Sequence, residues 1–135
     1  MADTSFVVAL TDKNDPYNRQ CHAIYERVRV IYLPQTTLAE VCYLLRRAGG
    51  NALTARFIRL IPKRKYIVHA LDQGELERTA AILDQYTDSR VDFVDASVAA
   101  VAENLQITHI LTLDKRDFGI IRPVHAPYFD ILPHP

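Results

Sequence analysis

Val91-Asp-Phe-Val-Asp-Ala-Ser-Val-Ala-Ala-Val-Ala-Glu-Asn-Leu-Gln-Ile-Thr-His-Ile-Leu-Thr-Leu-Asp-Lys-Arg-Asp-Phe118 reads as one helix followed by one buried strand, with acids at both outer ends. Ala96, Ala99, Ala100 and Ala102 are strong helix formers, and Val94, Val98, Val101 and Leu105 recur at the three- and four-residue spacing of a packed helical face. The run Thr108-His-Ile-Leu-Thr-Leu113 is short, mostly apolar and β-branched, which suits a buried strand ending at Asp114. Asp92 and Asp95 fall in the first turns of the helix. For Asp92 the helix macrodipole is reason enough. Asp95, between Val94 and Ala96 on an apolar helix, is harder to solvate. No Lys or Arg lies between Asp92 and Asp114 to pair with these acids locally.

Working outward, 135 residues predict a single domain, 1–135, with one ordinary hydrophobic core. With 16 basic and 16 acidic residues the formal net charge is zero, so a polyanionic partner must be met by a local basic patch. Cys21 and Cys42 fit no ligand spacing and read as small hydrophobes in a reducing cytosol. The chain opens without a basic segment leading into an apolar run, and no stretch approaches membrane-spanning length, so a cytoplasmic protein is expected. The five histidines form no close pair, which argues against structural zinc.

Asp3 stands near the start, followed by Thr4, Ser5 and an apolar run. Asp15-Pro16 predicts the opening of a helix running to about Val28, with Cys21, Ile24, Tyr25 and Val28 on one face. Val30–Leu33 predicts a strand closed by Pro34. The helix that follows begins near Thr37 and ends at Gly49-Gly50, and a short amphipathic helix covers Asn51 to about Leu60. Thr37 and Glu40 have the spacing of a capping box, an ordinary structural explanation that stands level with a functional one for Glu40. Arg46, Arg47, Arg56, Arg59, Lys63, Arg64 and Lys65 concentrate with no acid between Glu40 and Asp72, supplying the local basic patch. Tyr66–Leu71 predicts a strand, and Asp72 with Glu75 a capping box opening a helix that ends near Tyr86. A last edge strand is expected in the proline-punctuated segment after Arg122.

Strands alternating with helices long enough for crossovers predict a parallel α/β sheet. On this reading Asp3, Glu40, Asp95 and Asp114 all lie at or just after strand ends, where ligands of such sheets collect. Four carboxylates sent to one edge repel one another unless they are protonated or bridged by a cation, and magnesium or manganese suits an all-oxygen site.

Asp3-Thr-Ser-Phe, Leu38-Ala-Glu40-Val, Val94-Asp95-Ala-Ser-Val-Ala-Ala-Val-Ala-Glu and Leu111-Thr-Leu-Asp114-Lys-Arg-Asp-Phe, in that order, resemble the successive motifs of PIN-domain ribonucleases. The resemblance is strongest to the VapC toxins of bacterial VapBC toxin–antitoxin modules and extends to Arg122-Pro-Val-His. It implies a three-layer α/β/α fold with a central parallel sheet, a homodimer, and a magnesium-dependent endoribonuclease that acts on RNA and is restrained by a VapB-like antitoxin. Manganese is a possible substitute ion. Asp3, Glu40, Asp95 and Asp114 match the family's catalytic and metal-binding acids. Asp92 is a less certain fifth acid, and Thr4, Ser5 and Thr112 are supporting hydroxyls. The role of Asp117 stays open. Only Met1 and Ala2 precede Asp3, where the family has a first strand. The antitoxin's groove is expected on the helices beginning at Thr37 and Asn51, around Leu44, Leu45, Leu53 and Phe57.

Two other readings compete. A catalytically inactive partner-binding module would not need an intact quartet. A magnesium-dependent phospho-acceptor signalling domain would want paired acids after the first strand, and here Asp3 stands alone.

Overall fold

The computed structural model describes residues 1–134. In chain order the elements are helix α1 (Thr4–Thr11), α2 (Asn18–Arg27), strand β1 (Ile31–Pro34), α3 (Gln35–Leu60), a short 3-10 turn at Ile61–Lys63, β2 (Tyr66–His69), α4 (Gln73–Gln85), α5 (Phe93–Asn104), β3 (His109–Leu111), α6 (Lys115–Ile120) and β4 (Asp130–Leu132). β1 pairs with β2 and β3 with β4, both in parallel.

The two ladders are joined by the first three residues. Ala2 N–H donates to Tyr32 O at 2.9 Å on one side; on the other, Leu111 N–H donates to Met1 O at 2.8 Å and Asp3 N–H to Leu111 O at 2.9 Å. Met1–Asp3 therefore fills the centre of a parallel sheet ordered β2, β1, Met1–Asp3, β3, β4. The missing first strand is this three-residue segment, and the apolar run behind Asp3 is helix.

Side-chain alternation along the strands divides the core between two faces. Met1 and Ile110 pack with Ile82 of α4, Val98 and Val101 of α5 and Phe118 of α6. Ala2, Ile31, Leu33 and Leu111 pack with Phe6 and Val7 of α1, Cys21 of α2, and Val41, Leu45 and Phe57 of α3. The result is the expected three layers, helices on both faces of a parallel sheet.

Several boundaries differ from expectation for local reasons. α2 begins at Asn18 because Asp15 Oδ1 instead accepts from Tyr17 N–H at 2.8 Å, closing a turn. The strand before Asp114 ends at Leu111, although Thr112 N–H still donates to Leu132 O at 2.9 Å. Gly49 and Gly50 do break the helix as predicted: within Gln35–Leu60 both leave helical geometry, and Gly50 has φ +70°, a conformation open to glycine. Leu45 and Phe57, expected in a partner groove, are core residues at 0% and 4% exposure, and Leu53 packs against them. Cys21 and Cys42 are free, the first buried and the second partly so. Among the described residues no helix is long and apolar enough to cross a membrane.

Candidate active site

With the strands parallel, backbone elements that leave their carboxyl ends converge on one edge of the sheet. An open cavity of about 310 Å³ lies there, lined by Asp3, Glu40, Asp92, Asp95, Asp114 and Asp117, with Thr4, Ser5, Leu44 and Arg90 completing its wall. All four sequence-predicted acids are thus brought together from separate parts of the chain. Asp92 and Asp117, left open by the sequence, join them.

Asp3 follows the central segment and occupies the N-cap position of α1, yet makes no capping hydrogen bond with its side chain. Its Oδ2 instead accepts from Thr112 Oγ1 at 2.9 Å and from Ser5 Oγ at 3.4 Å. Thr112 Oγ1 also accepts from Asp114 N–H at 2.9 Å, and Ser5 Oγ accepts from Leu113 N–H at 2.9 Å. These two hydroxyls fasten Asp3 to the loop that carries Asp114. Thr4 Oγ1 is buried in the cavity wall without a hydrogen-bond partner.

Glu40 lies in α3, one turn in from β1. The capping box with Thr37 does not form: the helix opens at Pro34-Gln35, so Thr37 is already inside the first turn, and its hydroxyl is buried without a partner. Glu40 is therefore not spent on its own helix. Asp92 and Asp95 are differently placed. They form a reciprocal capping box at the start of α5, Asp92 Oδ1 accepting from Asp95 N–H at 3.0 Å and Asp95 Oδ2 from Asp92 N–H at 3.1 Å. The aspartate at the third helical position, where glutamate is usual, hid this motif from sequence reading. Contrary to the expectation that all four acids follow strands, α5 follows α4. Asp114 caps α6 by accepting from Asp117 N–H at 3.1 Å.

The electrostatics are those of crowded like charges. Burial, then the charges of Glu40 and Asp114, push the Asp3 carboxyl up to about 6, against the opposing pull of the Thr4 N–H and the Thr112 hydroxyl. Burial and the neighbouring charges of Asp92 and Asp3 also hold Asp95 well above the usual carboxylate range. Asp117 is raised by burial and by Asp114, with Arg90 and Arg116 opposing. Arg90, which the sequence reading missed, is the one cation among the lining residues.

An all-carboxylate donor set is the chemistry of a hard divalent cation, and the unpartnered Thr4 hydroxyl leaves a further oxygen on the wall. Among the described residues no three acids are already gathered as a closed ligand cage. They line one open cavity, and their residue types fit a hard divalent cation.

Asp72 and Glu75 form the predicted capping box of α4, and Glu75, buried, also meets His69 Nε2 at 2.8 Å. Glu103, to which the sequence assigned no role, is buried on α5 and held by Arg78 through bonds of 2.7 and 3.0 Å. Both line a different cavity, between the start of α4 and the end of α5.

Comparison with known proteins agrees with this architecture. The PIN-domain family model matches residues 1–122. Over 132 residues the chain is 26% identical to Ribonuclease VapC26 of Mycobacterium tuberculosis, covering 97% of this chain and 98% of that protein. The crystal structure of VapC20 of Mycobacterium tuberculosis, a sarcin–ricin loop cleaving toxin, superposes with a TM-score of 0.82 at 22% identity, over 93% of this chain and 97% of that one. A toxin–antitoxin complex from Klebsiella pneumoniae gives a TM-score of 0.72 at 19% identity, over 96% and 98% of the two chains.

Proposed function

Because the chain belongs to the PIN-domain family, we propose that it is a toxin-type, metal-dependent endoribonuclease that hydrolyses phosphodiester bonds of RNA. The observation that carries this reading is the meeting of Asp3, Glu40, Asp95 and Asp114 in one cavity, with Asp3 pushed towards protonation by burial and the charges of Glu40 and Asp114, and Asp95 by burial and the charges of Asp92 and Asp3. The likeness to Ribonuclease VapC26 supports the same activity.

In this reading Asp3, Glu40, Asp95 and Asp114 hold magnesium, for which manganese substitutes. Bound there, the ion would lower the pKa of a water and neutralise charge on the leaving oxygen. Thr112 and Ser5 fix the rotamer of Asp3, and the Asp92 side chain, tied to Asp95 N–H, sets the first turn that presents Asp95. Arg90, at the rim, is placed to meet a phosphate oxygen of the strand being cut. No protein nucleophile is required.

A VapB-like antitoxin is the proposed restraint, in a homodimeric assembly acting in the cytoplasm. The fold shared with a toxin–antitoxin complex supports it. With Leu45 and Phe57 committed to the core, the exposed Tyr43 and Ile58 of α3 are the apolar groups left for such contacts. Co-expression with the product of the adjacent upstream gene tests this part. A stable co-purifying complex, inactive on RNA until the partner is removed, is the expected result; a protein tolerated alone at high expression and retaining no neighbouring gene product would remove the toxin assignment and leave the nuclease.

A further inference from the structure

A second cavity, also of about 310 Å³, lies between the end of α1, α2 and the second half of α3, and its lining differs in sign from the first. Lys13, His22, Arg56 and Arg64 line it together with Tyr25, Phe57 and Tyr66, and no acid lines it. Among the described residues Lys13, Arg56 and Arg64 make no ion pair. Lys65, their neighbour in sequence, is differently employed: its Nζ donates to Tyr25 O at 2.6 Å and Val28 O at 2.7 Å, closing the end of α2, and stands 4.6 Å from the Tyr25 ring centre.

The rings form a continuous wall. Tyr25 and Tyr66 have centroids 6.5 Å apart, and Tyr66 meets Phe57 edge-on at 6.0 Å. The wall is built from three elements, so it is held by the fold and not by one mobile side chain. Exposed cations beside a ring-lined hollow, with no acid among them, are complementary to a ligand with a phosphate and a flat ring.

We propose that this cavity binds one nucleotide unit of the RNA strand, the phosphate on Arg56, Arg64 and Lys13 and the base against the Tyr25 and Tyr66 rings, which the buried Phe57 backs. The inference rests on the reading of the protein as a ribonuclease and adds where the RNA is gripped outside the scissile bond. Its volume, at the small end of ligand cavities, suits a single nucleotide and not a duplex. α1 spans the interval: Asp3 stands at its start and Leu10 and Thr11, which line the cavity, at its end, about 10 Å along the helix axis. A strand engaged at both places is held on either side of the same helix.

The test measures binding without cleavage. A fluorescently labelled single-stranded RNA is titrated with parent protein, with the double variant Arg56→Gln/Arg64→Gln, and with Arg122→Gln as a single-charge control on the opposite face of the sheet, all in chelator and over a range of salt. Both cavity arginines are exposed, so circular dichroism is expected to report an unchanged fold. The double variant should bind at least about tenfold more weakly, with a salt slope reduced by about 1.4, while Arg122→Gln stays near the parent. Adenosine monophosphate is added as a competitor in a parallel titration. Displacement of the labelled RNA from the parent by the mononucleotide supports a pocket that recognises the unit itself; unaltered RNA binding by the double variant, or no RNA binding by the parent, overturns the proposal. Failure of the nuclease reading shows separately, as absent cleavage with metal restored while chelator binding persists.

Discussion

Thr112 Oγ1 donates to Asp3 Oδ2 at 2.9 Å across 109 positions of sequence, and the same oxygen receives the Asp114 N–H. One hydroxyl therefore sets the positions of two carboxylates that approach from neighbouring strands. It also lowers the cost of burying Asp3, whose carboxyl is otherwise pushed up by its surroundings. Thr112→Val keeps the shape and removes the donor. The expected cost is about 1–3 kcal/mol of stability at neutral pH, together with a further rise of the Asp3 carboxyl and an alkaline shift in the acid limb of the cleavage profile. Thermal unfolding and the pH dependence of kcat/KM check both; a variant of unchanged profile would mean that Thr112 does not act through Asp3.

Within the capping box of α5 the two acids should separate by function. Asparagine at position 92 still accepts a hydrogen bond at the helix start, so Asp92→Asn should fold normally and keep measurable cleavage. Asp95→Asn should abolish cleavage with the fold intact, as should Asp3→Asn, Glu40→Gln and Asp114→Asn. Asp72→Asn and Asp84→Asn should be active. An active Asp95→Asn beside an inactive Asp92→Asn would reverse the assignment within the pair.

The raised Asp3 carboxyl makes the metal-free protein sensitive to pH in a definite direction. Its folded value of about 6 exceeds the ordinary 3.8, so between those values the folded state binds more protons than the unfolded, and stability falls as pH rises. The full effect of this one group is about 3 kcal/mol, lost by the time pH passes the folded value. A divalent ion that binds only the folded state opposes the loss by mass action. The unfolding midpoint should therefore rise with added manganese at about pH 7.5 and hardly at all at about pH 5, where protons compete for the same oxygens. Asp3→Asn should flatten both responses. A metal-free parent of equal stability at both pH values would contradict the repulsion described.

Away from the site, the Arg78 and Glu103 pair offers a stability test with no expected effect on chemistry. Glu103 is 5% exposed and also accepts from Val124 N–H at 3.2 Å, so Arg78→Ala leaves a buried carboxylate partly compensated. A loss of about 3 kcal/mol is expected, with kcat unchanged in the protein that remains folded. Chemical denaturation gives the first figure and single-turnover cleavage the second.

How much of this was legible in the sequence depended on which signals were local. The helix from Phe93, the Gly49-Gly50 break and the Asp72–Glu75 cap follow from neighbours a few residues apart, and all three stand in the structure. The Thr37–Glu40 spacing misled because the cap position was taken by Pro34, which only the preceding strand explains. Met1–Asp3 was expected where the family has its first strand, but its central position in the sheet depends on pairing with Tyr32 and Leu111, and a three-residue run has no periodicity to read. Asp3, Glu40 and Asp114 were found because strand ends converge in a parallel sheet, whereas Asp95, whose helix follows α4, stood out as a carboxylate on an apolar helix within a familiar motif. Arg90, the hydroxyl bridge from Thr112 and the sharing of one cavity by Asp92 and Asp117 are contacts across the fold, and no spacing announces them.

Metal-dependent cleavage at the acidic cavity is tested most directly by one rate measurement: cleavage of an end-labelled structured RNA by the parent and by Asp114→Asn, followed against manganese concentration. Saturable cleavage by the parent, abolished by chelator and slower by about a thousandfold or more in the variant at every concentration, is the predicted result. Cleavage that survives chelator, or an Asp114→Asn protein as fast as its parent, would contradict it.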